Sequence, residues 1–320
     1  MVVEISFIFL CVLTLTLSFL LSKFLSKSQT KNVPKGSLGY PIIGETLGFL
    51  KAQRKDKGSE WIEERVSKYG PVFKTSLLGS PTVVIIGQEG NKFVLGSSED
   101  VLSAKKPLTL QKILGKQSLI ELTGSSNDTS ATLMSLMIWK LSRDQEVYNK
   151  VLEEQMEILK QREGNEERLT WGEIQKMKYT WRVAQELMRM IPPLFGGFRK
   201  ALKDTSYQGY HIPKGWQVYW PSCGTHMDKE IFENPQKFDP SRFENPSKPI
   251  PSYSYLPFGA GIHYCIGNEF ARVETLTTIH NFVKMYEWSQ LNPEETITRQ
   301  PMPYPSLGLP IKIKPRCNIS

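Results

Sequence analysis

The segment best suited to chemistry is residues 258–267, FGAGIHYCIG, where a single cysteine stands among glycines. Deprotonated Cys265 would be a soft ligand for a transition metal, and the helix predicted to begin just after it favours the thiolate through its dipole. Gly261 and Gly267 would let a flat ligand approach the backbone, and Phe258 would shield the sulfur from water. A cysteine beside glycines is also typical of a small buried apolar residue, so the segment alone leaves both interpretations open.

Charged residues at helical spacing form a second candidate. Glu186 and Arg189, in ELMR, lie three residues apart, so a helix would place them on one face, as a buried acid and base pair requires. Arg242 in FDPSRF and Arg199 in FGGFRKA are further basic residues in the same half of the chain. For any one of them alone, a solvated surface charge is the ordinary interpretation. Their order relative to Cys265 is what makes the set specific.

The elements that must position these residues are mainly helices, with a small β-sheet. Residues 131–141, ATLMSLMIWKL, are apolar nearly all round, which is typical of a buried helix. The runs Val72–Thr75 and Thr82–Ile86 flank a turn and predict a β-hairpin. The other predicted helices are an amphipathic segment over 61–69, two helices over 143–162 and 171–190 that begin at the capping boxes Ser142/Gln145 and Thr170/Glu173, and a helix over 266–286.

The N-terminal segment predicts a membrane anchor. Residues 5–22 form an uncharged apolar run of 18 residues, close to the length of a membrane-spanning helix. A cleaved signal peptide is the alternative, but the preceding residues are not basic and no small-residue cleavage site follows. Lys23, Lys27, Lys31 and Lys35 come directly after the run, so the rest of the chain is expected in the cytosol. The predicted organisation is an anchor (1–22), a basic linker (23–33) and two parts of one domain (34–126 and 127–320).

Composition excludes several classes of protein. With 320 residues, of which 40% are hydrophobic, the chain can bury a sizeable core. The net charge of +8 comes from basic residues that are interspersed with acidic ones, so no nucleic-acid partner is predicted. A basic face that meets an anionic lipid surface or an acidic partner would explain the same net charge equally well. The four cysteines have no paired or CxxC spacing, which excludes a disulfide framework and the common zinc ribbons.

The cysteine segment resembles the haem-binding loop of the cytochrome P-450 superfamily, F-x-x-G-x-R-x-C-x-G. Phe258, Gly261, Cys265 and Gly267 are on the pattern, and His263 stands where the family usually has arginine. The resemblance implies that Cys265 is the axial ligand of the iron of haem b. It also implies that His263 donates to a haem propionate, although histidine is less surely charged than arginine.

Three further motifs follow the family's order. Glu186 and Arg189 resemble its E-x-x-R helix, and Arg242 occupies the place of its P-x-R-F arginine, which implies a charged cluster near the thiolate loop. Arg199 matches a strand position that reaches a propionate in the family, and an edge arginine in water is the alternative. The segment KALKDTSYQGYHIPKGWQV is most similar to the plant clan of brassinosteroid, abscisic acid, triterpenoid and taxane hydroxylases. The implied function is a monooxygenase of the endoplasmic reticulum membrane that hydroxylates a lipophilic terpenoid or steroid, using dioxygen and an NADPH-dependent reductase.

The chain departs from the family in its middle. It is much shorter than family members, and the helices expected between Ser126 and Asn127 are missing, so the predicted fold is an incomplete one. The resemblance implies that Asp128 and Thr129 are a catalytic pair that delivers protons from a long central helix, whereas the local sequence GSSNDTS favours a cap by one of them at a helix start. The alternative function is a truncated, catalytically incompetent chain that binds haem weakly or not at all.

Overall fold

The computed structural model describes residues 11–12, 14–19, 32–104, 126–162, 168–244, 249–300 and 302–316. From residue 32 onward, its helices are α1 (Thr46–Arg54), α2 (Gly58–Tyr69), α3 (Gln88–Gly96), α4 (Ser126–Arg143), α5 (Gln145–Lys160), α6 (Trp171–Lys176), α7 (Lys178–Met190), α8 (Cys223–His226) and α9 (Asn268–Met285). Its strands are β1 (Val72–Leu77), β2 (Ser80–Ile85), β3 (Leu102–Ser103), β4 (Gly196–Ala201), β5 (Thr205–Tyr207), β6 (Tyr210–Ile212), β7 (Gln217–Pro221), β8 (Tyr286–Gln290), β9 (Ile297–Arg299), β10 (Pro303–Pro305) and β11 (Ile311–Pro315). The predicted fold class, mainly helical with small sheets, is confirmed.

The largest sheet has five strands in the order β1-β2-β7-β4-β3. Strands β1 and β2 form the predicted hairpin, and Leu78 and Gly79 between them both have positive φ, as the favoured two-residue hairpin turn requires. Strand β7 runs parallel to β2, and β4 runs antiparallel to β7. The chain therefore returns to the N-terminal hairpin after it has formed the helical part of the fold.

Alternate residues of strand β2 in this sheet pack into two separate hydrophobic cores. Val83 and Ile85 pack with Val94 and Leu95 of α3, whereas Val84 between them packs with side chains of α1 and α2. This two-residue alternation is what a strand with both faces covered requires. The sheet thus lies between α3 on one face and α1 and α2 on the other.

A third core joins the helices that carry the candidate site. Leu136 of α4, Val151 of α5, Leu187 of α7 and Ile279 of α9 are fully buried in one cluster. Each buried aliphatic side chain of this kind stabilises the fold by about 1.5–3 kcal/mol. Burial along α4 follows one face, with Leu133, Leu136, Met137 and Leu141 inside and Ala131 exposed, so the predicted burial on all sides is wrong.

The caps of the neighbouring helices are partly as predicted. The capping box of Thr170 and Glu173 at the start of α6 is confirmed. The helix predicted to run on to residue 190 breaks at Met177, where α7 begins. The capping box predicted at Ser142 is wrong, because α4 continues to Arg143 and Asp144 caps α5 by accepting a hydrogen bond of 3.1 Å from the Val147 N–H.

Most of the predicted N-terminal anchor lies outside the described residues. Residues 11–12 and 14–19 are helical, and the side chains of Leu15 and Leu17 are exposed. Within the described part of the chain, no helix combines the length and the apolar character needed to cross a bilayer.

Candidate functional site

The cysteine segment forms a tight loop between the sheet and α9. The Cys265 N–H donates to the Phe258 carbonyl oxygen at 3.0 Å, and the Tyr264 N–H donates to the Gly261 carbonyl oxygen at 3.1 Å. A single 3-10 turn, Gly261–His263, lies between these bonds. The Cys265 thiol at the end of the loop is free and exposed. The loop therefore presents one sulfur to whatever lies outside it.

Two glycines allow this loop to sit where it does. Gly261 has a φ of +68°, and a Cβ atom there would lie 2.1 Å from the carbonyl oxygen of Leu95 at the end of α3. No other residue fits without moving α3 away from the loop. A Cβ atom at Gly267 would lie 3.7 Å from the Cys265 sulfur, and α9 begins at the next residue. The sulfur thus lies near the N-terminus of α9.

A buried charged cluster lies on the helix α7 side of the loop. Glu186 and Arg189 have fully buried side chains, and their bidentate pair has distances of 2.7 Å (Nε to Oε2) and 2.9 Å (second guanidinium nitrogen to Oε1). The Arg242 Nε atom lies 3.2 Å from Glu186 Oε1, and the Asp239 N–H donates to the same oxygen at 2.9 Å. The structure therefore brings together the three residues that the sequence motifs singled out.

His226 extends this cluster to the cysteine loop. Its Nδ1 atom lies 3.1 Å from the Arg189 carbonyl oxygen, and its Nε2 atom accepts a hydrogen bond of 2.8 Å from the Leu256 N–H. Complete burial lowers the pKa of His226 to about 3, so its ring is neutral and Nδ1 is the protonated nitrogen. Because Leu256 precedes Phe258 by two residues, this bond fixes the start of the loop. Sequence reasoning missed His226, which carries no local signal besides its type.

A second charged group lies at the open side of the loop. The His263 Nε2 atom contacts the carboxylate of Glu99, which follows α3. Burial acts to raise the pKa of Glu99, but hydrogen bonds from the Ala104 N–H, the Ser103 hydroxyl and the His263 ring together lower it. The carboxylate is therefore ionised at neutral pH. Sequence reasoning did not find Glu99, which lies 164 positions from its partner.

Arg199 belongs electrostatically to the same group. It lies in β4, between β7 and β3, and its side chain is half-buried. Burial lowers the pKa of Arg199, and the charge of Glu99 opposes this shift. The guanidinium donates one hydrogen bond of 3.3 Å, to the neighbouring Phe198 carbonyl oxygen. The expectation that His263 and Arg199 serve one anionic group is consistent with this placement, since both interact with the same carboxylate.

Asp128 and Thr129 lie in the first turn of α4. Both are half-buried, and neither precedes the helix as an N-cap would. One turn further, the Thr132 hydroxyl lies 3.9 Å from the sulfur of Met302, next to β10. A carboxylate in the first turn interacts favourably with the helix dipole, which is a local role that Asp128 fulfils in this position.

The residues around the loop fit a haem. The donor set is a single exposed thiol, which suits iron held by one protein ligand. Side chains in and just after the loop expose large apolar areas, with 67% of Ile262, 102% of Ile266 and 55% of Phe270 accessible. A flat apolar ring with carboxylate arms can cover such side chains and place its arms near basic groups. Among the described residues, His263 and Arg199 are two basic groups that interact with Glu99 beside the loop.

Comparison with known proteins gives the same assignment from independent data. The sequence profile of the cytochrome P450 family matches residues 103–315. A beta-amyrin 28-monooxygenase of Barbarea vulgaris is 30% identical over an alignment of 476 positions that covers 98% of this chain and 100% of that protein. A beta-amyrin 28-monooxygenase of Kalopanax septemlobus is 45% identical over 86% of this chain and 51% of its own length.

A solved structure resembles the fold. A retinoic acid-bound cyanobacterial protein, CYP120A1, superposes with a TM-score of 0.66, over 90% of this chain and 100% of the other. At 20% sequence identity, this likeness concerns the fold alone.

Proposed function

The chain belongs to the cytochrome P450 family, and from this premise we propose that it is a haem-thiolate monooxygenase that hydroxylates a triterpenoid. The observation that carries the proposal is the exposed Cys265 thiol at the end of a loop whose start is hydrogen-bonded to the buried, neutral His226 ring. Bound haem would supply the activation of dioxygen for insertion of one oxygen atom into a C–H bond. The protein's own residues would bind and orient the haem and would determine the charge of the site.

Each candidate residue has a role in this proposal. Cys265 ligates the iron, with Phe258 shielding the sulfur and Gly261 and Gly267 allowing close approach. His263 and Arg199 hold the haem carboxylates through charge-assisted hydrogen bonds. Glu186, Arg189 and Arg242 would stabilise the fold next to the loop without serving as haem ligands. Asp128 and Thr129, in the first turn of α4, would hold and transfer protons for the reaction that bound haem supplies.

The proposed substrate class follows the relatives. Two similar proteins bear the name beta-amyrin 28-monooxygenase, so an apolar polycyclic triterpene is the substrate class that we propose. Such a substrate partitions into membranes, which agrees with the anchor proposed for residues 5–22 and with a location on the cytosolic face of the endoplasmic reticulum. Electrons would come from a separate NADPH-dependent reductase.

A second candidate function is an incomplete chain that binds haem weakly and turns over no substrate. The alignment with the Barbarea vulgaris protein has 476 positions, whereas this chain has 320 residues, so many aligned positions have no residue here. The expected junction near Ser126 and Asn127 adjoins residues 105–125, which lie outside the described part. This observation supports the alternative and is independent of the loop geometry.

A carbon monoxide spectrum of the reduced protein tests the haem-thiolate proposal. Wild-type protein should give the spectrum of thiolate-ligated iron, and Cys265→Ser should lose it, because a neutral hydroxyl is a poor ligand for iron. Cys223→Ser is the matched control, since burial raises the pKa of that thiol to about 12 and makes it inert. Loss of the spectrum in the control but not in Cys265→Ser would contradict the assignment.

Turnover separates the two candidate functions. The chain reconstituted with haem, a plant reductase and NADPH should convert beta-amyrin to a hydroxylated product if it is a working enzyme. A thiolate spectrum without product, together with product from a version in which a relative supplies the missing positions, would favour the incomplete chain.

A further inference from the structure

The charged group at the open side of the loop contains an acid that the proposed haem site does not need. We propose that Glu99 is an internal counter-anion that competes with a haem propionate for His263 and Arg199, so that removing its charge tightens haem binding. The inference rests on the proposed function, because it concerns the same site. It assigns Glu99 as a residue that sets haem affinity.

The Glu99 carboxylate is held firmly in its place. The Ala104 N–H donates to Oε1 at 3.2 Å, the Ser103 hydroxyl donates to Oε2 at 2.9 Å, and the His263 Nε2 atom contacts Oε1. Its side chain is 42% exposed and that of His263 is 35% exposed, so the pair stands at the surface beside the loop. A carboxylate with these donors does not leave the site without losing several hydrogen bonds.

Glu99 already interacts with the basic groups that a propionate would use. One ring nitrogen of His263 is engaged with it, and Glu99 is the charged group whose field acts on Arg199 among the described residues. The Arg199 guanidinium has five N–H donors, of which one bonds the Phe198 carbonyl oxygen in the described structure. The two basic residues therefore offer a site for carboxylates, and a protein carboxylate already contacts one of them, His263.

Like charges decide the direction of the effect. A haem propionate at His263 and Arg199 would share these cations with Glu99, and two carboxylates around the same donors repel each other. At a partly exposed site, such an interaction changes an equilibrium constant by about fivefold. Replacing Glu99 with glutamine removes the repulsion and keeps the side-chain size. Glutamine can still accept the hydrogen bond from the Ala104 N–H through its carbonyl oxygen, and its amide group can donate to the Ser103 hydroxyl oxygen, so the local backbone should stay in place.

Equilibrium titration of the full chain with ferric haem tests the proposal, with the dissociation constant read from the absorbance of bound haem. Glu99→Gln should bind haem about fivefold more tightly than wild type. Haem whose two propionates are methyl-esterified carries no charge there, so it should bind both proteins equally. Glu89→Gln, which removes an exposed acid from α3, is the matched control and should leave both affinities unchanged. Glu99→Ala should shift the affinity for haem in the same direction as Glu99→Gln.

The outcomes separate this inference from the function on which it rests. Unchanged or weaker haem binding by Glu99→Gln, with wild type binding normally, would overturn the inference and leave the proposed function standing. An equal gain for haem and for its diester would also overturn it, because the effect would not involve propionate charge. No haem binding by any of the proteins would contradict the proposed function, and the inference with it.

Discussion

Two charged groups flank the same loop, and they differ in how deeply they lie. Glu186 and Arg189 have fully buried side chains, whereas Glu99 and His263 keep 42% and 35% of theirs exposed. Removing one partner of a buried pair leaves an uncompensated charge in a medium of low dielectric constant, while water screens a charge at the surface. The buried group therefore determines whether the loop forms, and the open group determines what binds to it.

The buried group also has every donor used. Arg189 donates to two carbonyl oxygens, of His226 and Pro235, both at 2.7 Å, in addition to its pair with Glu186. At the open side, Arg199 makes one hydrogen bond in the described structure, to its own neighbour. A fully satisfied network holds one geometry, and a sparsely bonded guanidinium remains able to meet a ligand.

The largest effect is expected when the buried pair is broken. Arg189→Met should lower the free energy of unfolding by about 3–5 kcal/mol, because Glu186 would remain charged and buried with one less partner. Denaturant unfolding followed by circular dichroism measures the loss. Arg182→Met, on the same helix but with an ion pair to the exposed Glu244, is the control and should cost about 1 kcal/mol or less. Similar losses in the two variants would show that burial does not distinguish the pairs.

Acid should destabilise the buried group through His226. Its pKa of about 3 lies below the ordinary histidine value of 6.5, so the folded state binds fewer protons than the unfolded state between these values. Stability contributed by the neutral ring is fully present above pH 6.5 and decreases as the pH falls toward 3. His280, with a pKa lowered to about 4 mainly by burial, adds to the same slope.

Unfolding between pH 7 and 5 isolates this effect, because most carboxylates stay ionised there. Wild type should lose stability over this interval, and His226→Gln should show a shallower slope whatever its own stability. His211→Gln, a replacement away from the buried cluster, should keep the wild-type slope. A His226→Gln slope as steep as that of wild type would mean that His226 is not the group that binds the proton.

The difference between the two groups also explains what could be predicted from sequence. Glu186 and Arg189 lie three residues apart, and helical geometry alone brings them together. The pairing of His263 with Glu99 spans 164 positions and depends on how the end of α3 meets the loop at Gly261, which no local pattern encodes. The pairing of Glu186 with Arg189 was therefore predictable, whereas the partner of His263 was not.

The cap of α5 is a second feature that the local sequence could not predict by itself. Ser142 and Asp144 both have side chains that cap helices well, and they are two residues apart. Burial of Leu141 in the helical core favours continuation of α4 by two more residues, to Arg143, so the cap falls on Asp144. Local capping propensity therefore allowed either Ser142 or Asp144 as the cap, and tertiary packing determined that Asp144 is the cap.

The contact between loop and helix offers a test of intermediate size. Gly261→Ala should lower the free energy of unfolding by about 1–2 kcal/mol from its positive φ, with a further cost because its Cβ atom would meet the Leu95 carbonyl oxygen. Haem affinity should fall in the same variant, since the loop carries Cys265. Thermal unfolding and haem titration measure the two effects.

Gly308→Ala is the matched control for this test. Gly308 also has a positive φ, of +80°, but a Cβ atom there would meet nothing within 4 Å. Gly308→Ala should therefore lose only the stability that the backbone strain costs, and it should keep its haem affinity. If both variants lost equal stability and neither lost haem, the fit of the loop against α3 would have no role in the site.

The smallest effect is expected from the exposed ion pair that follows the loop. Glu269 lies in the first turn of α9 and pairs with Arg272 three residues later at 2.6 Å, with 53% of its side chain exposed. The hydrogen bond from Arg272 lowers the pKa of Glu269, so the pair contributes above the usual carboxyl pKa and is lost in acid. Glu269→Gln should cost about 0.5 kcal/mol at neutral pH and low salt, and less in high salt, because exposed charges are screened. Denaturant unfolding at two salt concentrations measures it, and a loss of several kcal/mol that salt does not change would place this pair with the buried group instead.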